Sequence, residues 1–332
     1  MKMWPFLLLL VTLLLSTAAT LPSEALNVRG HLLKSKTFLS PAIFLRPGSV
    51  SNKIYFDVAF PKGHIALKSF DAEVVDEHGV PVPLHETYLH HWVVEPYYIP
   101  KGADAAETKL SKIIPRRNSG VCKTTLGQYY GLGSETRHTA TWVPDPYGIE
   151  VGDPVAPPEG HEEKQWLLNV FQIDVAKCTV SLKYLDWLLT MAHDLGCLFV
   201  QIEYQVEKCS SEDRAKNDCV HVQVAKQILP RGGDIVFGVA HQHSGGIGAS
   251  LHGEDGRLLC ESVATYGEGR EAGNEEGYIV GMSTCYPKPG TVTVSDGEAL
   301  TVVSNYSSER QHTGVMGLFY ILVAEHEQQS QL

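Results

Sequence analysis

Short apolar runs of β-type residues recur along this chain from Thr37 onward, each closed by turn residues within roughly eight to twelve positions. That rhythm restricts the fold more than any other feature. The runs T-F-L-S, A-I-F-L and K-I-Y-F-D-V-A-F are broken by Pro47-Gly48 and Pro61-Lys62-Gly63. H-I-A-L-K-S-F and D-A-E-V-V-D lead into a turn at Glu77-His78-Gly79, and Trp166–Ile173 reads as a buried strand. Beyond Asp234, strands alternate with tight turns at Gly253-Glu254-Asp255-Gly256 and Ser295-Asp296-Gly297. Strands this short bury one face only by stacking a second sheet on them, which makes a sandwich.

Helical periodicity shows at Ser181–Leu195, S-L-K-Y-L-D-W-L-L-T-M-A-H-D-L, for about four turns. From Pro100 to Gln165 the chain is polar and proline-dense, the composition of a functional or disulfide-held insertion. Strands at Leu198–Val206 and His221–Gln227 flank E-K-C-S-S-E-D-R-A-K-N-D-C, read as a loop. The expectation is an all-β protein of two β-sandwich, jelly-roll-like domains with one short helical segment between them. Its parts are a signal peptide at 1–25, an N-terminal sandwich with the loop-rich insertion at 26–195, a C-terminal sandwich at 196–326 and a tail at 327–332.

The first residues, M-K-M-W-P-F-L-L-L-L-V-T-L-L-L-S-T-A-A-T, combine one early Lys, a leucine-rich run and small residues at Ser16–Ala19. This is a secretory signal pattern, too short for the roughly 20 residues of a spanning helix. The chain is therefore expected outside the cell, with no stable membrane span. Seven cysteines in an oxidising compartment read as disulfides, and Cys209–Cys219 and Cys260–Cys285 would close loops of sensible length, although spacing alone leaves connectivity open. Asn305-Tyr306-Ser307 is a glycosylation sequon. A net charge of −11, with no sustained basic patch, argues against a nucleic-acid partner.

Candidate chemistry concentrates in two places. In V-F-G-V-A-H-Q-H-S-G-G-I-G-A-S, His241 and His243 sit two apart at the end of a β-type run, so their imidazoles share one face. Neutral imidazoles suit copper, zinc, iron or nickel. The second place is T-Y-L-H-H-W-V-V, with His90 and His91 adjacent. Neighbours on a regular strand face opposite ways, so both serve one ion only at a bulge or a strand end. Met316, in H-T-G-V-M-G-L-F-Y, is core filling by default, yet its thioether is a soft ligand that favours Cu(I). Surface solvation is the default reading of the paired carboxylates.

The segments F-P-K-G-H-I-A-L-K-S-F, L-H-E-T-Y-L-H-H-W-V-V, G-V-A-H-Q-H-S-G-G-I-G, G-Y-I-V-G-M-S-T-C-Y-P and Q-H-T-G-V-M-G-L-F-Y carry a resemblance of the whole mature chain to the plant stress up-regulated nodulin 19 family. More distantly, the spacing is similar to the copper type II, ascorbate-dependent monooxygenases. That likeness implies copper held by His241, His243 and Met316 as the oxygen-activating site, His90 and His91 in an electron-transfer site, and Tyr320 at an active-site tyrosine position. It implies hydroxylation of a small molecule with dioxygen and ascorbate or a similar reductant. Two departures stand against it: Phe171 fills the position of a lone third histidine, for which His64, His85 or His138 would have to substitute, and Val239 replaces a substrate-anchoring arginine. The competing expectation is a non-catalytic extracellular stress protein whose histidines buffer metal or survive as relics.

Overall fold

The structure is a computed structural model that describes residues 26–28, 31–33, 35–56, 65–103, 113–115, 130–151, 159–173, 203–229 and 232–324. The expected signal peptide at 1–25, the expected helix at Ser181–Leu195, the tail at 327–332 and Cys122, Cys178, Cys197 and His64 lie outside these residues. The chain divides into a unit spanning 1–41 and a unit spanning 42–332. In the first, Leu26–Val28 pairs antiparallel with His31–Leu33. The second holds all remaining sheets and is described below.

Two antiparallel sheets build its C-terminal part. One has the order Glu203–Val206, His312–Ala324, Gly233–Gln242, Thr293–Val294. The other runs Val220–Ile228, Ala299–Ser307, Gly246–His252, Leu258–Tyr266, Ile279–Met282. In Ala299–Ser307 the period of two is unbroken: Leu300, Val302, Ser304 and Tyr306 are buried, and the residues between them are partly exposed. Ile235, Val239, Leu251, Leu300, Val302 and Phe319 meet in one core. Each such side chain contributes roughly 1.5–3 kcal/mol by leaving water.

The strand Gly233–Gln242 departs from alternation, because nearly every residue in it is buried. Its sequence, G-D-I-V-F-G-V-A-H-Q, reads as an apolar run rather than an alternation, which is the pattern of a strand covered on both faces. Leu132 and Val143, from the N-terminal part, belong to the same core. Gln242 is fully buried, and its amide donates to Gly248 O, Ser304 Oγ and Asn305 O. Those bonds offset part of the cost of placing a polar side chain there.

The N-terminal sheet has the order Val50–Tyr55, His161–Ile173, Tyr88–Pro100, Ile114–Pro115, with Tyr130–Leu132 also pairing to Tyr88–Pro100. A small pair, Ile65–Leu67 with Ile149–Val151, accompanies it. Antiparallel sheets throughout bear out the all-β reading. The expected turns form where the glycines sit: Gly79, Gly256 and Gly297 have φ of 78°, 82° and 77°, in the left-handed region. Both disulfides named from the sequence are present, Cys209–Cys219 and Cys260–Cys285.

Three local expectations are corrected. A-I-F-L is not a strand, and Phe44 is 93% exposed; pairing begins only at Val50. The strand around Trp166 begins earlier, at His161. Within the Cys209–Cys219 loop, Ser211–Asn217 forms an α-helix with a capping box between Ser210 and Asp213. Ser210 Oγ accepts from the Asp213 amide while the Asp213 carboxylate accepts from the Ser210 amide, which satisfies two otherwise orphaned donors.

Candidate functional site

The adjacent histidines are made neighbours in space by a fault in the ladder. Leu89 pairs with Gln172 and His91 with Phe171, so His90 is the extra residue of a β-bulge. Released from strict alternation, the two rings lie 5.2 Å apart between centroids. His241 and His243, on one face at the end of their strand, lie 5.3 Å apart. The two pairs meet: His90 and His243 are separated by 4.6 Å. The monooxygenase likeness assigned the pairs to two sites, whereas here four imidazoles form one cluster.

A carboxylate completes it. Glu135 lies in the short 3-10 turn Ser134–Arg137 and has no exposed surface. His241 Nδ1 lies 2.7 Å from its Oε1. An ionised carboxylate only accepts, so Nδ1 donates this bond and Nε2 is the ring nitrogen the carboxylate leaves unengaged. His243 repeats the arrangement, donating from Nδ1 to Gly314 O at 3.0 Å. A histidine anchored at Nδ1 by a carboxylate or a carbonyl is oriented to coordinate through Nε2. His243 Nε2 and Glu135 Oε2 are both buried without a hydrogen-bond partner. Unused polar capacity of that kind is costly unless something fills it.

Burial keeps three of the rings, His90, His91 and His243, neutral. Burial pulls His90 well below the usual histidine range, and charge on His243 and His91 would add to the effect. Burial, then the neighbouring His241, takes His91 down to about 4. The same causes, in the same order, take His243 to about 3 against a partial offset from the Gly314 carbonyl. For Glu135, burial alone would raise the carboxyl, but the charge and hydrogen bond of His241 and the Gly133 amide outweigh it, and the net direction is down.

The surrounding residues fix these positions. The Tyr306 hydroxyl accepts from the His243 amide at 2.8 Å and donates to Met316 O at 2.7 Å, tying the ends of two strands. Thr139 Oγ1 donates to Glu135 O at 2.6 Å, and Ser134 Oγ to Ile279 O at 3.2 Å. Thr136 Oγ1 reaches Asp71 at 3.0 Å. Arg137, next in the turn, pairs with buried Glu275 and with Glu73. The turn bearing Glu135 is thus fastened to both halves of the unit. Gly133 is indispensable for space: a Cβ there would lie 2.6 Å from His90 O and 2.7 Å from both Glu135 Oε2 and His241 Cε1.

Of the other expected residues, Met316 is buried, one register step beyond the Gln242–Gly317 pair, which puts it on the His241 face level with His243. Tyr320 is opposite Val239 on that same face, and burial, then the Glu135 charge, raises its phenol so that it stays protonated. Phe171 stands directly across the ladder from His91. His138 is exposed and contacts Gly273 O, and His85 stays beside Glu86 at the surface, so neither joins the cluster. Asn305 is half-buried on the outward side of its strand. Among the described residues, no three His, Cys, Asp or Glu side chains already surround a single point as a formed metal site. Capture of an ion would need ring rotation. Glu135 went unseen in the sequence, where a glutamate in G-L-G-S-E-T reads as solvated turn.

Comparison with known proteins gives one strong match. A family described as stress up-regulated Nod 19 matches residues 31–184 and 189–326. No curated protein matches the chain. Solved structures similar to it include infectious bursal disease virus Gt strain, at 10% identity over 86% of this chain and 80% of that one, with a TM-score of 0.13. The VP2 subviral particle of infectious bursal disease virus gives 10% identity over 86% and 79%, again at 0.13. Overlap at that TM-score carries no structural argument.

Proposed function

The chain belongs to the stress up-regulated Nod 19 family, and from that premise we propose that it is a histidine-ligated transition-metal protein whose metal is copper. The observation that carries this reading is the cluster itself. Four imidazoles from distant parts of the chain lie within steps of 4.6 to 5.3 Å, three of them (His90, His91 and His243) held neutral by burial, with His243 Nε2 and Glu135 Oε2 buried and unused. Neutral imidazoles suit copper or zinc, and a thioether on the same face as His241 favours copper, in particular Cu(I). His241 and His243 would hold the ion through Nε2, with His90 and His91 on the facing strand and Met316 alongside. Glu135 orients His241 rather than binding substrate.

When bound, copper supplies one-electron chemistry with dioxygen and an external reductant such as ascorbate. The chain's own contribution is to exclude water, fix ring orientation and keep the Tyr320 phenol protonated beside the cluster. The substrate would be a small organic molecule outside the cell. The two disulfides fit a secreted protein, and no described helix is long and apolar enough to cross a membrane. A binding role without turnover is the second reading, favoured by Phe171 in the place of a third imidazole opposite His91.

Metal analysis tests this on protein secreted from copper-replete cells, comparing wild type with His241→Ala and Met316→Ile. About one copper per chain, lost with His241→Ala and weakened with Met316→Ile, is expected. Wild-type protein without metal, or copper retained in full by His241→Ala, would end the reading. Reductant-dependent oxygen consumption then separates an enzyme from a binder.

A further inference from the structure

Immediately beyond His243 the chain turns through Gly245, and the turn forms one wall of a half-open groove of about 460 Å³. That volume is within the roughly 300–1,000 Å³ typical of small-molecule sites. Ile247 and Val263 present apolar surface in it, 41% and 49% exposed, with Tyr266 beside them. The Tyr266 ring is fixed as a wall: its hydroxyl accepts from the Gly245 amide at 2.9 Å and donates to Gly246 O at 2.7 Å. Two side chains of the lining bear nitrogen, Arg310 and His312, and among the described residues no carboxylate lines the groove.

Arg310 has no hydrogen bond or ion pair among the described residues, and the adjacent Glu309 is engaged by Arg214 at 3.2 Å. His312 packs its ring against Gly245, where a Cβ would lie 2.3 Å from Cε1, and its Nε2 is buried without a hydrogen-bond partner. Burial, followed by the Arg310 charge, lowers His312 against a backbone hydrogen bond with Ser307, so the ring is neutral. The groove thus offers an apolar slot, an aromatic wall and one unengaged guanidinium.

We propose that this groove binds a small monocarboxylate with an aromatic or compact aliphatic body, its carboxylate on Arg310 and its apolar part against Ile247, Val263 and Tyr266. A guanidinium fork matches a carboxylate in plane, and burying the ring of such a ligand removes apolar area that Ile247 and Val263 now leave in water. A neutral analogue forfeits the first contact, and inorganic phosphate forfeits the second. The ligand would lie against the turn that follows His243, beside the histidine cluster, yet the site stands on the groove alone and does not require a metal.

Titration calorimetry or ligand-observed NMR with benzoate tests it on the full secreted chain, with and without added copper. Benzoate is expected to bind, with benzamide and inorganic phosphate each weaker by about tenfold or more. Arg310→Gln should weaken benzoate about tenfold, Arg310→Lys should restore part of the loss, and Val263→Trp should block binding by filling the slot. Both positions are at the surface, so the variants should keep the wild-type thermal midpoint. Absence of benzoate binding, equal binding of benzamide, or affinity unchanged in both Arg310→Gln and Val263→Trp overturns the proposal. Benzoate binding by protein that takes up no copper would sink the metal reading and leave this site intact.

Discussion

His91 and His243 are held as neutral bases in a place where water would otherwise protonate them, and that has a sign. An unfolded histidine titrates near 6.5, whereas these two are lowered to about 4 and about 3. Between about pH 6.5 and 4 the unfolded chain binds more protons than the folded one, so stability falls as acid is added. The slope expected for metal-free protein is on the order of 1.4 kcal/mol per pH unit per histidine. Urea midpoints measured from pH 7 to 5 check this, and a flat profile contradicts it. A second prediction uses Gly133, which sits at φ −108° and ψ −142°. The added methyl has no room among His90 O, Glu135 and His241, so Gly133→Ala should reduce copper uptake by tenfold or more although no proposed ligand is altered. Secreted Gly133→Ala protein carrying wild-type copper would contradict it. The histidines themselves were readable because spacing of one on a strand fixes a face. Glu135 was not, since its burial depends on His241, 106 positions away.

Single elements show the same division. The period of two in Ala299–Ser307 and the glycine turns are local, and the sequence shows them plainly. A-I-F-L has equally strong local preference, but none of the described residues pairs with it, and propensity without a neighbour makes no strand. The Ser211–Asn217 helix shows the opposite: S-S-E-D carries a capping signal, but a helix of 7 residues is too short to show helical periodicity. The turn around Glu135 is the element on which the site depends most, and Arg137 fastens it to Glu275 and Glu73 from two other segments. Arg137→Ala would leave Glu275, 1% exposed, without its counter-charge. A loss on the order of 3–5 kcal/mol is expected, together with weaker copper retention in the folded fraction. Thermal melts and metal content of the same preparation measure both; an unchanged melting point would show that the pair is not buried in solution.

Across the whole unit, both described disulfides close loops whose length the sequence shows without fixing their pairing, and the all-β architecture follows from patterns within single segments. The meeting of the T-Y-L-H-H and H-Q-H segments does not, because it is decided by a ladder fault at His90 and by core residues such as Leu132 and Val143 joining the C-terminal core. If copper binds as proposed, that arrangement governs when it can be taken up. While a nascent chain is being threaded out of the ribosome, the first imidazole pair appears long before its counterpart has been made. No half-finished polypeptide can therefore sequester copper at this place, and loading has to wait for the finished chain to close on itself, in whichever compartment that happens.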